Sequence, residues 1–236
     1  MKYILIAVLS LFIAGSLNAQ ANRADTLAKI DYSDDWAMVS KYQKANAALP
    51  AAGPNRVVFL GSSIFELWSE RMPAFFEKHP EYINRGISGQ VSGQLLIRFR
   101  QDVIALHPKA VVILAGSNDI SGDRGHVTDE TILNNVRSMV ELAKLHHIIP
   151  VISLYVPVGQ YPWRKELQAV PRIKSLNDAL AAFAKENKLP VIDYFTPLAD
   201  ANRAQKPELT VDGVHPNKAG YELMAQATDA VLSNLK

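Results

Sequence analysis

Arg56-Val57-Val58-Phe59-Leu60-Gly61-Ser62-Ser63-Ile64-Phe65-Glu66-Leu67-Trp68 is the stretch on which the fold turns. A short apolar run, rich in β-branched and aromatic residues, stops at a glycine. Two serines follow, and helical spacing then begins. The pattern predicts a buried strand, a sharp turn and a helix start. Gly61 lets the backbone turn tightly. A serine just past such a turn stands at the carboxyl edge of a sheet, beside the open N–H groups of a helix. Two roles are open to Ser62 and Ser63 at this point: capping the helix, or attacking a substrate.

The same alternation continues outward. Short apolar runs at 57–60, 81–84, 110–114, 148–154 and 190–193 read as strands. Each is apolar on both faces, as parallel strands covered by helices are. Helical patterns lie between them, at 64–77, 91–105, 128–146 and 170–187, with a last helix at 217–235. The expectation is an α/β fold: a five-stranded parallel sheet built from right-handed βαβ units, with helices on both faces. Ligands of such sheets sit beyond the carboxyl ends of the strands.

The N-terminal region reads differently. Lys2 supplies a short positive region, Tyr3 to Ala14 is mostly apolar, and Ser16-Leu17-Asn18-Ala19-Gln20-Ala21 offers an Ala-x-Ala cleavage pattern. Residues 1–21 are therefore expected to be a secretory signal peptide, cleaved after Ala19 or Ala21. The apolar core is shorter than the ~20 residues a membrane span needs. The mature protein is expected to be periplasmic or secreted, with no stable membrane span. Residues 22–54 read as an N-terminal helical arm. Trp36, Val39 and Tyr42 recur at helical spacing, so a helix is expected over about Asp34 to Ala48. Residues 55–236 form the domain.

Composition narrows the function. The chain has 236 residues, 48% hydrophobic and 20% charged, enough for one globular domain of moderate size. Net charge is +2, and no basic run is interleaved with aromatics, so nucleic acid is not an expected partner. There are no cysteines. A disulfide framework, a Cys-ligated metal and a thiol nucleophile are excluded. His146 and His147 are adjacent and lack the i, i+4 spacing of a helical metal pair. His79, His107 and His126 show no accompanying carboxylate pattern, and no metal is expected.

The loops after successive strands carry the chemistry. After the first come Ser62 and Ser63. The second is followed by Asn84-Arg85-Gly86-Ile87-Ser88-Gly89-Gln90, whose glycines leave N–H groups open to a ligand. No phosphate-loop motif is present there. After the third comes Ala115-Gly116-Ser117-Asn118-Asp119, where an asparagine is either a turn former or an amide donor. After the fourth comes Tyr155-Val156-Pro157-Val158-Gly159-Gln160-Tyr161-Pro162-Trp163-Arg164, a pocket wall or a packed surface loop. Ser62, Tyr155 and Trp163 are candidate substrate contacts. Before the last helix comes Thr210-Val211-Asp212-Gly213-Val214-His215-Pro216. Pro216 suits a first helical turn and biases His215 to extended backbone. Asp212 is placed to orient an imidazole. Together these loops offer a nucleophile, two oxyanion donors, and a base with its orienter.

This ordered set resembles the SGNH hydrolases, also called the GDSL esterase/lipase family, over roughly residues 55–235. Gly61-Ser62-Ser63-Ile64 is similar to the family's Gly-Asp-Ser-Ile/Leu block, which places the nucleophile at Ser63. Ile87-Ser88-Gly89-Gln90 and Gly116-Ser117-Asn118-Asp119 resemble the second and third blocks. The resemblance implies an oxyanion hole made by the Ser63 and Gly89 N–H groups and the Asn118 side chain. Asp212-Gly213-Val214-His215 resembles the terminal Asp-x-x-His, with His215 as base. It also implies a three-layer α/β/α, flavodoxin-like fold, no cofactor, and hydrolysis of carboxylic esters or thioesters. Two positions depart from the family pattern: Ser62 replaces the usual Asp, and Gln90 stands where many relatives carry Asp. Short acyl, above all acetyl, esters of glycans or small molecules are the expected substrates. Lipid acyl esters, as for a lysophospholipase or thioesterase, are the alternative, as is a silent glycan-binding relative.

Overall fold

The structure is a computed structural model and describes residues 35–235 except 123 and 126. The expected signal peptide, and residues 22–34 of the expected arm, lie outside the described residues. The described chain forms a five-stranded, wholly parallel sheet in the order β2-β1-β3-β4-β5. Its strands are β1 (Val57–Gly61), β2 (Tyr82–Gly86), β3 (Ala110–Ile113), β4 (Ile149–Leu154) and β5 (Val191–Asp193). The helices are α1 (Gln43–Ala47), α2 (Ser63–Arg71), α3 (Pro73–Lys78), α4 (Ser92–Asp102), α5 (Ser117–Ser121), α6 (Asp129–Leu145), α7 (Ala169–Glu186) and α8 (Lys218–Leu232). Helices α4, α6 and α7 pack side by side, and α2 packs with α8. Among the described residues, no helix is long and apolar enough to cross a membrane.

Burial follows strand position. All five residues of β1 and all four of β3 are buried, while the edge strands β2 and β5 are only partly so. The strand order reverses at β1, which has β2 on one side and β3 on the other. Connections leaving β1 and β3 therefore depart in opposite directions. The crevice between them is where a parallel sheet of this order places its ligand.

An aromatic cluster fixes α2 over that crevice. The Trp68 ring is fully buried and lies between Phe75, 4.7 Å away at 10°, and Tyr221, 5.5 Å away at 20°. Phe59 of β1 meets Phe65 edge-on at 5.5 Å. Aromatic contacts of this kind add about 0.5–1.5 kcal/mol each beyond area burial. The apolar spacing Ile64, Phe65, Trp68 is thus the face that seats the helix.

The structure corrects several expected boundaries. The helix expected over 64–77 breaks at Met72 (φ −145°, ψ 62°), because Pro73 has no N–H and disfavours α geometry before it. The strand expected at 81–84 runs on to Gly86. The helix expected over Asp34–Ala48 is confined to Gln43–Ala47; residues 37–42 form turns, with Met38 at φ 53°. Helix α4 ends at Asp102 and a 3₁₀ turn follows at Ile104–Leu106. Short α5 was not expected. It lies between Gly116 at φ 117° and Gly122 at φ 74°, and is too brief to show a period.

Candidate active site

The nucleophile candidate stands at the first residue of α2, directly past the end of β1. The turn is tight because strand β2 presses on it. A Cβ on Gly86 would come within 2.3 Å of the Glu66 backbone nitrogen and 2.8 Å of the Ser62 carbonyl oxygen. Only glycine permits that approach. Ser62 does not cap α2 with its side chain. It is buried, and its hydroxyl lies beside the Tyr155 phenol.

His215 arrives from the other end of the chain. Its loop closes on itself: Val211 N–H donates to the His215 carbonyl at 2.9 Å, and Gly213 turns at φ 83°. Two long-range bonds hold this loop and the helix after it, α8, to α2. Arg71 Nη1 donates to the Pro216 carbonyl at 2.8 Å, and Tyr221 Oη donates to the Ile64 carbonyl at 2.8 Å. Helix α8 begins at Lys218 with Asn217 as its N-cap, so Pro216 precedes the first helical turn instead of opening it.

Three side chains then line up. His215 Nε2 lies 3.0 Å from Ser63 Oγ, and His215 Nδ1 lies 2.7 Å from Asp212 Oδ2. Asp212 Oδ1 accepts the His215 N–H at 2.8 Å and the Val214 N–H at 3.0 Å. Partial burial alone would raise the Asp212 pKa. The bonds from the His215 amide and ring and from Val214 outweigh it and hold the carboxyl below its ordinary value. An ionised carboxylate only accepts, so Nδ1 carries the proton, and the Nε2 lone pair faces the Ser63 hydroxyl.

Gly89 and Asn118 complete the mouth. Gly89 sits at φ 75° on the turn after β2. Asn118 lies in the first turn of α5 after β3, and its Nδ2 donates one hydrogen to the Gln90 carbonyl at 2.9 Å. The amide's second hydrogen remains for a ligand. Among the described residues, the Ser63 and Gly89 N–H groups donate to no protein acceptor. Ser63, Gly89, Asn118 and His215 line one cavity of about 400 Å³ with Leu67, Ser88 and Trp163.

The expected substrate contacts separate. Trp163 is 44% exposed and lies in the cavity wall, its ring 6.3 Å from His215 at 28°. Tyr155 does not reach the cavity surface. It is 1% exposed and its hydroxyl meets Ser62 and Ser117. Burial pushes its phenol up, against the lowering effect of those two hydroxyls. Ser62 is likewise buried at 3%, so both support the site from behind.

Several supports carried no sequence signal. Asp119 accepts the Ser92 N–H at 2.8 Å and the Ser92 hydroxyl at 2.6 Å, tying α5 to the start of α4. Burial raises its carboxyl pKa despite those bonds. Arg98 is fully buried. It donates to Gln90 Oε1 at 2.5 Å, Asp102 Oδ2 at 3.0 Å, the Gly61 carbonyl at 3.0 Å and the Arg85 carbonyl at 2.6 Å. Gln90, one of the two departures from the family pattern, is therefore an internal bridge. The reading of His79 also changes: carboxylates of Glu81 and Asp229 lie 3.5 and 3.6 Å from its ring.

A serine, an imidazole and a carboxylate in hydrogen-bonded series at the edge of a parallel sheet are the equipment of acyl-transfer hydrolases. Residues 51–223 match the GDSL-like Lipase/Acylhydrolase family, and the chain belongs to it. It is a carboxylic ester hydrolase. A solved GDSL-like lipase from Bacteroides thetaiotaomicron is 40% identical, with a TM-score of 0.81 over 84% of this chain and 98% of that one. The isoamyl acetate-hydrolyzing esterase of Saccharomyces cerevisiae is 24% identical over 70% of each chain. The acetylxylan esterase of Geobacillus stearothermophilus is 28% identical over 61% of this chain and 68% of its own.

Proposed function

We propose that the protein is an exported esterase that removes short acyl groups, acetyl above all, through a Ser63 acyl-enzyme. The observation that carries the mechanism is the continuous chain Ser63 Oγ–His215 Nε2, His215 Nδ1–Asp212 Oδ2, opening into a cavity shared with Gly89 and Asn118. Ser63 Oγ attacks the ester carbonyl carbon while His215 Nε2 takes its proton. The carbonyl oxygen becomes an oxyanion, met by the N–H groups of Ser63 and Gly89 and by the Asn118 amide. The tetrahedral species collapses, the C–O bond to the alcohol breaks, and His215 protonates the departing oxygen. Water then attacks the acyl carbon as His215 takes its proton; the C–Oγ bond breaks, His215 returns that proton to Ser63 Oγ, and the acid leaves. Asp212 holds the ring and balances its positive charge in each step. Its depressed pKa keeps it an anion through the neutral and mildly acidic range. Its hydrogen bonds therefore add no pH dependence there. They weaken only as pH falls through that lowered value.

Support for acetyl comes from the two relatives named for acetate esters and from the modest size of the cavity. Trp163 offers a flat apolar face beside His215, suited to a sugar ring or small alcohol on the leaving-group side. A panel of esters running from acetyl to palmitoyl, including acetylated sugars, tests the reading. The highest kcat/KM is expected for acetyl esters. A preference for long acyl chains would contradict it. Asn118→Ala is expected to lower kcat about 10²–10³-fold with KM less affected, as loss of one oxyanion donor does. Steady-state kinetics on an acetyl ester provide the check.

A further inference from the structure

The Gly89 turn has little packing of its own. A Cβ at Gly89 would meet nothing within 4 Å, and the preceding Ser88 is exposed. An amide that must meet a developing charge within a few tenths of an ångström needs restraint from elsewhere. Three polar contacts supply it. Before the turn, Tyr42 Oη donates to the Gly86 carbonyl. At the turn, the Ser88 N–H donates to Glu66 Oε2 at 2.7 Å. After it, Gln90 Nε2 donates to the Ala37 carbonyl at 2.7 Å. The other Glu66 oxygen accepts from Lys41 Nζ. Burial alone would raise the Glu66 pKa, but the bonds from Lys41 and Ser88 lower it, so it is held as an anion.

Glu66 is placed to do more than close a surface ion pair. It lies on α2, three residues past Ser63, so its frame is the nucleophile's own helix. Its carboxylate ties the Ser88 N–H, one residue before Gly89, to that helix. We propose that Glu66, held by Lys41, is a positioning residue that sets the Gly89 N–H against Ser63 Oγ, with Ala37 and Tyr42 bracing either end of the turn. The proposal rests on the oxyanion role given to Gly89 above. A partly exposed ion pair contributes little to folding. A large loss of kcat on removing it must therefore come through the turn.

The test measures kcat and KM on an acetyl ester, with kcat expressed per site titrated by a fluorophosphonate, so that misfolded protein does not count. Glu66→Gln keeps the shape but loses the charge pair, and Glu66→Ala loses both contacts. The expected falls in kcat are about tenfold and about 100-fold, with KM nearly unchanged. Lys41→Met lowers kcat, and Lys41→Arg, which keeps the cation, restores most of that loss. The brace is overturned if Glu66→Ala retains wild-type kcat, if the loss lies in KM alone, or if Lys41→Arg is as impaired as Lys41→Met. Asn118→Ala is run beside these. If it leaves kcat unchanged, the oxyanion reading falls and the brace falls with it. If it lowers kcat while Glu66→Ala does not, the brace alone is wrong.

Discussion

Ser63→Ala is expected to abolish ester turnover, with a loss of about 10⁶ in kcat, the scale seen when a serine nucleophile is removed from a hydrogen-bonded triad. The size follows from the role. Without Oγ there is no acyl-enzyme, and the imidazole 3.0 Å away has no proton to take. The neighbouring serine provides the control. Ser62 is buried against Tyr155, behind the reacting atoms. Ser62→Ala removes one buried hydroxyl beside the Tyr155 phenol and leaves Ser117 on its other side, a cost of no more than about 0.5–1.5 kcal/mol in stability. It is expected to retain most of the turnover. An active Ser63→Ala protein beside an inactive Ser62→Ala protein would reverse the assignment of the nucleophile.

Arg98→Met is expected to produce the largest loss of stability, about 3–5 kcal/mol, because it leaves the Asp102 carboxylate buried without its counter-ion, with the Asn46 amide still donating to it. Burial depresses the Arg98 guanidinium pKa, opposed chiefly by Asp102. Both side chains are fully buried in the ion pair. For a domain of this size the expected fall in Tm is about 6–20 °C. Arg98→Met combined with Asp102→Leu is expected to recover only part of it. The double variant removes the stranded charge, but the Gly61 and Arg85 carbonyls and the Gln90 side chain still lose their donor. Thermal or urea unfolding followed by circular dichroism checks both. A Tm for Arg98→Met equal to that of the wild type would show that the buried network does not support this edge of the sheet.

The parts of the fold that are local in sequence were legible there. Strands β1, β3 and β4 are short apolar runs with both faces covered, and β5 is a shorter, partly exposed apolar run at the edge; their positions follow from that pattern alone. The serine turn, the Gly-x-Asn-Asp loop and the Asp-x-x-His loop each carry recognisable local chemistry, and a parallel sheet brings strand-end loops together at one edge. Elements without a period were not legible. Five-residue α5 shows none, and the turns at 37–42 follow from backbone geometry that helical spacing of Val39 and Tyr42 masks. Tyr155 looked like a pocket residue because aromatic loops often are. Its burial depends on Ser62 and Ser117, which reach it from the ends of two other strands. The bridges made by Arg98, Arg71, Glu66 and Tyr221 join residues up to 157 positions apart. Such pairings have no signature in a single sequence.

The central claim is that Ser63, activated by His215, becomes covalently acylated. Its most direct test is mass spectrometry of the protein after reaction with a fluorophosphonate, with the adduct located by peptide mapping. One adduct per chain, on Ser63, and lost in Ser63→Ala and in His215→Ala, is the expected result. An adduct on Ser62 or elsewhere, or no adduct on a protein that still hydrolyses acetyl esters, would contradict the account.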